Sequence, residues 1–128
     1  MARILLVEDD TPVRTFVRRA LELDGNVVVE AADGRAGLAA LARPDAAFDL
    51  LVSDIAMPEL DGIALAKAAR ERRPALPIIL MTGYAHQREH AADVAVIVRE
   101  VLPKPFSLDE IRRAVGRALA AIAHRSAA

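Results

Sequence analysis

The amino-acid sequence predicts an α/β fold: a doubly wound, five-stranded parallel sheet with helices on both faces. Short apolar runs rich in Ile, Leu and Val alternate with segments whose apolar residues recur at helical spacing. Residues 48–53 are apolar apart from Asp49 and Ser53, which suits a central strand that is covered on both faces. Strands that alternate with helices through right-handed crossovers form one parallel sheet, so we expect five βα units.

The strands are predicted from apolar, β-branched runs that end at Gly, Pro or acidic residues. The central ones are expected to be fully buried, because their runs show little polar alternation. The predicted strands lie at residues 4–7, 27–29, 48–53 and 77–81, with a short fifth strand near Val101.

The helices are predicted from caps and helix-breaking residues. Asp10 precedes Pro12 at the first helix start, and Ser107 and Glu110 have the spacing of a capping box. The predicted helices run from Thr11 to Asp24, from Gly34 to near Pro44, from about Ile63 to Arg73, from about His86 to Asp93, and from Ser107 to about His124.

Residues 94–98 interrupt this alternation, because they are apolar and β-branched where a helix should end. We expect an irregular link that contributes to the core, with a partner-binding surface as the alternative.

Composition excludes several classes of protein. The 128 residues contain no Cys, which rules out disulfides and thiolate chemistry, and the net charge of −1 gives no general attraction to nucleic acid or anionic membranes. Residues 4–7 are too short for a signal peptide and no run reaches membrane length. We therefore expect one cytoplasmic domain over residues 1–124, followed by a short tail at 125–128.

Polar residues far apart in the sequence are predicted to form one site. Glu8, Asp9, Asp54, Thr82 and Lys104 each lie at or just beyond the end of a predicted strand. The carboxyl ends of parallel strands meet at one edge of a sheet, where such folds bind ligands. Carboxylates, a hydroxyl and an ammonium together suit a divalent cation, Mg²⁺, and a phosphoryl group.

The chemistry expected there is phosphoryl transfer. The Asp54 carboxylate should point into solvent at the sheet edge and, beside Mg²⁺, could accept a phosphoryl group as an acyl phosphate. Lys104 would supply charge and Thr82 a hydrogen bond to the phosphoryl oxygens. Crowding of the carboxylates should raise at least one of their pKa values unless a cation neutralises them.

Simpler interpretations stand beside this one. The acidic run at 8–10 could merely favour a helix N-terminus, and Asp10 is expected to be a cap rather than a ligand. His86 and His90 are four residues apart but lack a third ligand, so a solvated helix face is favoured over a metal site. We likewise expect a solvated face, rather than a nucleic-acid patch, for the arginines of the last helix, Arg112, Arg113 and Arg117.

Four ordered motifs resemble the receiver domains of two-component response regulators, which are CheY-like. They are LLVEDD (5–10), SDIAMPELDG (53–62), MTGYA (81–85) and PKPF (103–106), and the resemblance extends from residue 3 to about 121. It implies a flavodoxin-like (βα)5 fold with strand order 2-1-3-4-5. The start MARILL and the later VLPKPF further resemble stand-alone regulators of the CpdR type, whose partner is the ClpXP protease machinery.

The resemblance also implies a metal site. Asp9 and Asp54 would bind Mg²⁺ directly, Glu8 would act mainly through water, and the Ala56 backbone carbonyl would complete the protein ligands.

It further implies phosphorylation. Asp54 would be the phosphoacceptor, Thr82 would move toward the phosphoryl group, and Lys104 would pair with it. The Lys104–Pro105 bond would be cis.

Two departures from the family pattern lead to hypotheses. The usual switch aromatic is replaced by Val101, so we expect a weaker switch or one placed elsewhere, involving Tyr84 or residues 94–98. Ala56 and Tyr84 occupy positions that tune hydrolysis in the family. Ala56 cannot orient water and Tyr84 could shield the acyl phosphate, so we expect slow autodephosphorylation.

The predicted function is that of a single-domain response regulator. A histidine kinase or phosphotransfer protein would phosphorylate Asp54, and a downstream protein would bind the face formed by the fourth helix, fifth strand and last helix. We expect no direct nucleic-acid or membrane partner and no enzymatic activity beyond autophosphorylation and autodephosphorylation. The alternatives are a pseudo-receiver that binds a partner constitutively and a haloacid-dehalogenase-like phosphatase, which would need a second Asp where Ala56 stands.

Overall fold

A computed structural model describes residues 2–83 and 96–127, with side chains up to residue 121. Five parallel strands form one sheet in the order β2-β1-β3-β4-β5, as predicted. The strands are β1 Arg3–Val7, β2 Val27–Ala31, β3 Leu50–Asp54, β4 Ile78–Thr82 and β5 Glu100–Pro103.

Side-chain caps mark the starts of the described helices. The Asp10, Asp33 and Asp61 side chains accept hydrogen bonds from backbone amides three residues on, at 3.1, 2.7 and 2.8 Å. Ser107 and Glu110 form the reciprocal bonds of a capping box, both at 3.1 Å. The described helices are α1 Thr11–Glu22, α2 Gly34–Ala42, α3 Gly62–Arg72 and a C-terminal helix Leu108–Ala127, which extends past its expected end near His124.

Helices cover both faces of the sheet. Alternate strand residues point to opposite faces, so Leu5 and Leu51 pack in one apolar cluster with α2 and α3. Ile4 and Leu50 pack in the other with α1 and the C-terminal helix. All four side chains are fully buried, which explains why their strands are continuously apolar.

The third strand begins and ends later than the sequence indicates. Phe48 is buried before the strand starts, with the Arg3 guanidinium 5.3 Å from its ring centroid. At the other end of the strand, Asp54 is the last residue of β3 and pairs in register with Met81 of β4. The site residue is thereby held by sheet pairing and not by a loop.

The irregular link before the last strand is confirmed for the part that the structure describes. Ile97 and Val98 pack against the core, whereas Val96 is 94% exposed, contrary to the expectation that the whole apolar run is core. The predicted fourth helix, His86 and His90 included, lies outside the described residues.

Candidate functional site

The predicted site residues meet at the carboxyl edge of the sheet. Glu8 and Asp9 follow β1, Asp54 ends β3, Thr82 ends β4, and Lys104 follows β5. The order of the strands places β1, β3, β4 and β5 side by side, so residues up to 96 positions apart in the chain become neighbours. The convergence expected from the sequence is confirmed.

Lys104 lies between two of the carboxylates. Its Nζ is 2.8 Å from Glu8 Oε1 and 3.1 Å from Asp54 Oδ1. Its backbone N–H donates to the Thr82 carbonyl oxygen at 2.6 Å, and the Lys104–Pro105 peptide bond is cis, as expected. The ammonium is therefore held at the sheet edge by its own backbone and shared between β1 and β3.

The expectation that the Asp54 carboxylate points into solvent was wrong. The Asp54 side chain is only 7% exposed, and Glu8 and Thr82 are fully buried. Residues after β1, β3 and β5 line the cavity at the strand ends, and the Lys104 ammonium contacts the Glu8 and Asp54 carboxylates. Asp54 thus lines a cavity while most of its side chain is shielded from water. This burial shifts the pKa of its carboxyl group.

Burial raises the pKa values of both carboxyl groups. For Glu8, desolvation is the largest cause and the Asp54 charge adds to it, so the pKa rises to about 7 despite the Lys104 hydrogen bond. For Asp54, desolvation also raises the pKa, Lys104 opposes the change, and the Asp9 charge adds to it. The predicted rise is confirmed, with burial rather than crowding as its main cause.

The Lys104 ammonium remains charged in this setting. Burial alone would lower its pKa, but the hydrogen bond to Glu8 and the charge of Asp54 outweigh burial and raise the pKa. When all groups are ionised, three carboxylates and one ammonium leave an excess of negative charge at the sheet edge.

The donor set fits a hard divalent cation. Glu8, Asp9 and Asp54 each offer a carboxylate oxygen, and these atoms lie within 4.8 Å of one another. Oxygen ligands of this kind suit Mg²⁺, which keeps several waters and takes few protein ligands. The exposed Ala56 lines the same cavity, and the carboxylate charge that Lys104 leaves uncompensated favours a cation there.

The segment after β3 is held by close backbone packing. The Gly62 N–H donates to the Ile55 carbonyl at 2.9 Å, and a Cβ on Gly62 would lie 2.1 Å from the Asp54 carbonyl oxygen. A Cβ on Gly34 would lie 2.0 Å from the Leu60 carbonyl oxygen. Glycine at both positions therefore lets α2 and α3 fix the backbone that carries Asp54.

One wall of the cavity was not predicted from the sequence. The cavity has a volume of about 710 Å³, and Val13, Phe16 and Phe106 contribute apolar side chains beside the acidic group. The Phe16 and Phe106 ring centroids are 6.4 Å apart, and Phe16 is 41% exposed. Phe16 belongs to the apolar pattern that predicts the first helix, which by itself indicates a core residue. Its exposure could have been expected only because it lies one position away from the buried Val17.

The remaining predictions concern residues around the site. Asp10 caps α1 and donates its backbone N–H to Glu8 Oε2 at 3.2 Å, so its role as a cap is confirmed. Arg112 pairs with Asp24 at 2.6 Å and Arg117 with Glu100 at 2.7 Å, which agrees with a solvated face. Tyr84 lies outside the described residues.

Comparisons with known proteins agree with this arrangement. The family model of the response regulator receiver domain matches residues 4–116. The response regulator receiver protein CpdR of Brucella abortus is 39% identical over 121 residues, which are 94% of this chain and 99% of that protein. Response regulator MprA of Mycolicibacterium vanbaalenii is 40% identical over 111 residues, or 85% of this chain, but this chain spans only 46% of MprA.

A solved structure supports the same assignment. The CheY-like response regulator receiver domain protein of Methanospirillum hungatei superposes with a TM-score of 0.84 at 28% identity, over 94% of both chains. In the part of the chain that the structure describes, no helix combines the length and apolar character needed to cross a membrane. The matched family, the shared strand order and the strand-end carboxylates lead to one conclusion: this chain belongs to the response regulator receiver domains, which are signalling domains of two-component systems rather than classical enzymes.

Proposed function

We propose that this receiver domain accepts a phosphoryl group on Asp54 in a Mg²⁺-dependent reaction and thereby changes its affinity for a protein partner. The observation that carries the proposal is the position of Lys104 Nζ, within 3.1 Å of Asp54 and 2.8 Å of Glu8 at a buried sheet edge. The Lys104 ammonium is therefore already beside Asp54, and it can move from the carboxylates to a phosphoryl group.

Asp54 is the nucleophile in this proposal. One carboxylate oxygen attacks the phosphorus of a phosphohistidine, a P–O bond forms, and the P–N bond to the imidazole breaks. The departing imidazole takes up a proton. The buried Asp54 carboxylate must be ionised to attack, and its pKa is raised by burial, so a cation that restores the charged form also restores the nucleophile.

The other residues bind the cation and the phosphoryl oxygens. Asp9 and Asp54, with Glu8 acting mainly through water and the Ala56 carbonyl, would hold Mg²⁺, which when bound offsets charge on the phosphoryl oxygens. Lys104 exchanges its carboxylate partners for a phosphoryl oxygen, and the Thr82 hydroxyl donates a hydrogen bond to another. Releasing Lys104 from Glu8 links phosphorylation to β5, because Lys104 directly follows that strand.

The partners follow from this chemistry. The donor is a histidine kinase or a histidine phosphotransfer protein, and the reaction takes place in the cytoplasm. The downstream partner is a protein that binds the face predicted from the sequence, to which β5 and the C-terminal helix contribute. The net charge of −1 gives no general attraction to nucleic acid, which supports output through protein contact.

Intact-mass spectrometry with Mg²⁺ and acetyl phosphate tests the proposal. We expect a single phosphoryl adduct that requires Mg²⁺, disappears in Asp54→Asn, and persists in the control Asp45→Asn, whose carboxylate is exposed and paired with Arg43. No adduct in any variant would favour a constitutive interaction module. Turnover of phosphomonoesters without a stable adduct would favour a phosphatase.

A further inference from the structure

A second cavity lies at the opposite edge of the sheet from Asp54. It has a volume of about 970 Å³ and is formed by the segments that precede β4 and β5, the end of α3, and the C-terminal helix. Pockets of this size accommodate ligands as large as peptide side chains and drug-sized molecules. No group of the proposed phosphorylation site lines it.

Three guanidinium side chains line the cavity. They belong to Arg70, Arg99 and Arg117, and Arg117 pairs with Glu100 through bonds of 3.2 and 2.7 Å. Arg70 donates to the carbonyl oxygens of Pro74 and Ile97, which ties α3 to the segment before β5.

Arg99 is available for a ligand. Its backbone N–H donates to the Ile78 carbonyl at 2.7 Å, which fixes the residue at the start of β5. Its side chain is exposed, and within residues 2–83 and 96–121 it forms no hydrogen bond or ion pair. The Arg99 backbone is fixed and its guanidinium has no partner among the described residues, so it can bind a carboxylate in the cavity.

The remaining walls are aliphatic. Leu76 forms a buried part of the lining, Ile97 and Val98 are half-buried, and the C-terminal helix contributes alanines whose small side chains leave space. Val96, also in the lining, is 94% exposed. An occupant that fills this cavity must therefore bring apolar side chains as well as negative charge.

We propose that this cavity binds an acidic segment of a partner protein that carries aliphatic side chains. A carboxylate of this segment would pair with Arg99, and an aliphatic side chain would cover Leu76 and the helix alanines. A small inorganic anion would satisfy the charge but leave the aliphatic walls in water, so a peptide fits better. The proposal is independent of phosphorylation, because it uses none of the residues at the other edge.

Fluorescence anisotropy with a short fluorescein-labelled peptide of alternating Leu and Glu tests this without Mg²⁺ or phosphodonor. We expect saturable binding by the wild-type chain, weakened about tenfold by Arg99→Glu because a rim attraction becomes a repulsion. Ala120→Phe should weaken binding similarly, since Ala120 is exposed and lines the cavity. The matched controls Arg113→Glu and Ala39→Phe alter exposed positions elsewhere and should bind as the wild type does.

Three results would overturn the proposal. Equal weakening by Arg99→Glu and Arg113→Glu would indicate general charge attraction. Equal binding of a peptide with Ser in place of each Leu would indicate an anion site without the aliphatic contact. Absence of saturation up to about 1 mM peptide would indicate no site at all. Melting curves of each variant separate loss of binding from loss of fold.

Discussion

At the scale of single residues, Lys104 contacts two buried carboxylates and cannot fully compensate both. Desolvation of a buried ion pair can exceed the attraction between its charges. Here the raised pKa values of Glu8 and Asp54 show that folding disfavours their charged forms even beside the ammonium. The buried carboxylates therefore destabilise the protein when no metal is bound, and replacing one of them with a neutral amide tests this.

Asp54→Asn should stabilise the metal-free protein. Because the Asp54 pKa is raised in the folded state, its carboxylate at neutral pH costs stability, and a neutral amide of similar size removes that cost. We expect the free energy of unfolding in EDTA to rise by about 1 kcal/mol, measured by urea denaturation. The control Asp45→Asn should give no gain, because Asp45 is exposed and its pKa is lowered by the Arg43 hydrogen bond. An unchanged or lower stability of Asp54→Asn would contradict this interpretation.

A second prediction at this scale concerns loss of the phosphoryl group. Ala56 lies at the cavity beside Asp54 and has no polar atom in its side chain to orient an attacking water. We expect the phosphorylated protein to lose phosphate slowly and Ala56→Asn to shorten its lifetime severalfold, both followed by intact mass after removal of the phosphodonor. Wild-type loss within seconds, or no difference between Ala56→Asn and Ala56→Val, would contradict it.

At the scale of elements, the sequence predicts most starts and ends, because these depend on neighbours in the chain. Asp10, Asp33 and Asp61 cap helices through bonds to amides three residues away, which a local pattern can reveal. The end of β3 is different. Asp54 belongs to the strand because it pairs with Met81 of β4, a contact that no local signal contains.

Gly62 and Gly116 offer a matched test of how elements position the site. Gly62→Ala should destabilise the fold by about 1–3 kcal/mol, because the new Cβ would meet the Asp54 carbonyl oxygen and something must shift. Gly116→Ala meets nothing within 4 Å and should stabilise its helix by about 0.5–1 kcal/mol. Urea denaturation measures both.

The same pair of variants reports on function. Gly62→Ala should slow formation of the acetyl-phosphate adduct severalfold, because Asp54 moves with its backbone, whereas Gly116→Ala should react at the wild-type rate. Equal rates for the two variants would show that the close approach of Gly62 does not position Asp54.

At the scale of the whole molecule, the sequence predicts which residues converge but not how deeply they lie. The strand-end rule brings Glu8, Asp54 and Lys104 together once the strand order is known. Their burial depends on how the segments after several strands close over the edge, and the Phe106 wall depends on packing against α1. These are properties of the assembled chain. The same holds for the second cavity, which is lined by the end of α3, the segments before β4 and β5, and the C-terminal helix.

The fully buried Glu8 should control how the stability of the whole molecule depends on pH. The pKa of Glu8 is 4.5 ordinarily and about 7 in the folded protein. Between these values the folded state binds more protons than the unfolded chain, so its stability falls as pH rises. The stability that protonated Glu8 contributes is complete below about pH 4.5 and is lost as the pH rises through about 7. The raised pKa of Asp54 acts in the same direction. The lowered pKa values of Asp24 and Asp45 and the raised pKa of Lys104 act outside this window.

We therefore expect the metal-free protein to lose about 1–3 kcal/mol of unfolding free energy between pH 4.5 and pH 7.5 through this site, measured by urea denaturation in EDTA. Glu8→Gln should flatten the profile, because the amide does not titrate, while Glu71→Gln on the exposed surface of α3 should leave it unchanged. Added Mg²⁺ should restore stability mainly at the upper end of the range, where the carboxylates are ionised and can bind it. A Glu8→Gln profile as steep as that of the wild type would show that the pH dependence arises elsewhere in the molecule.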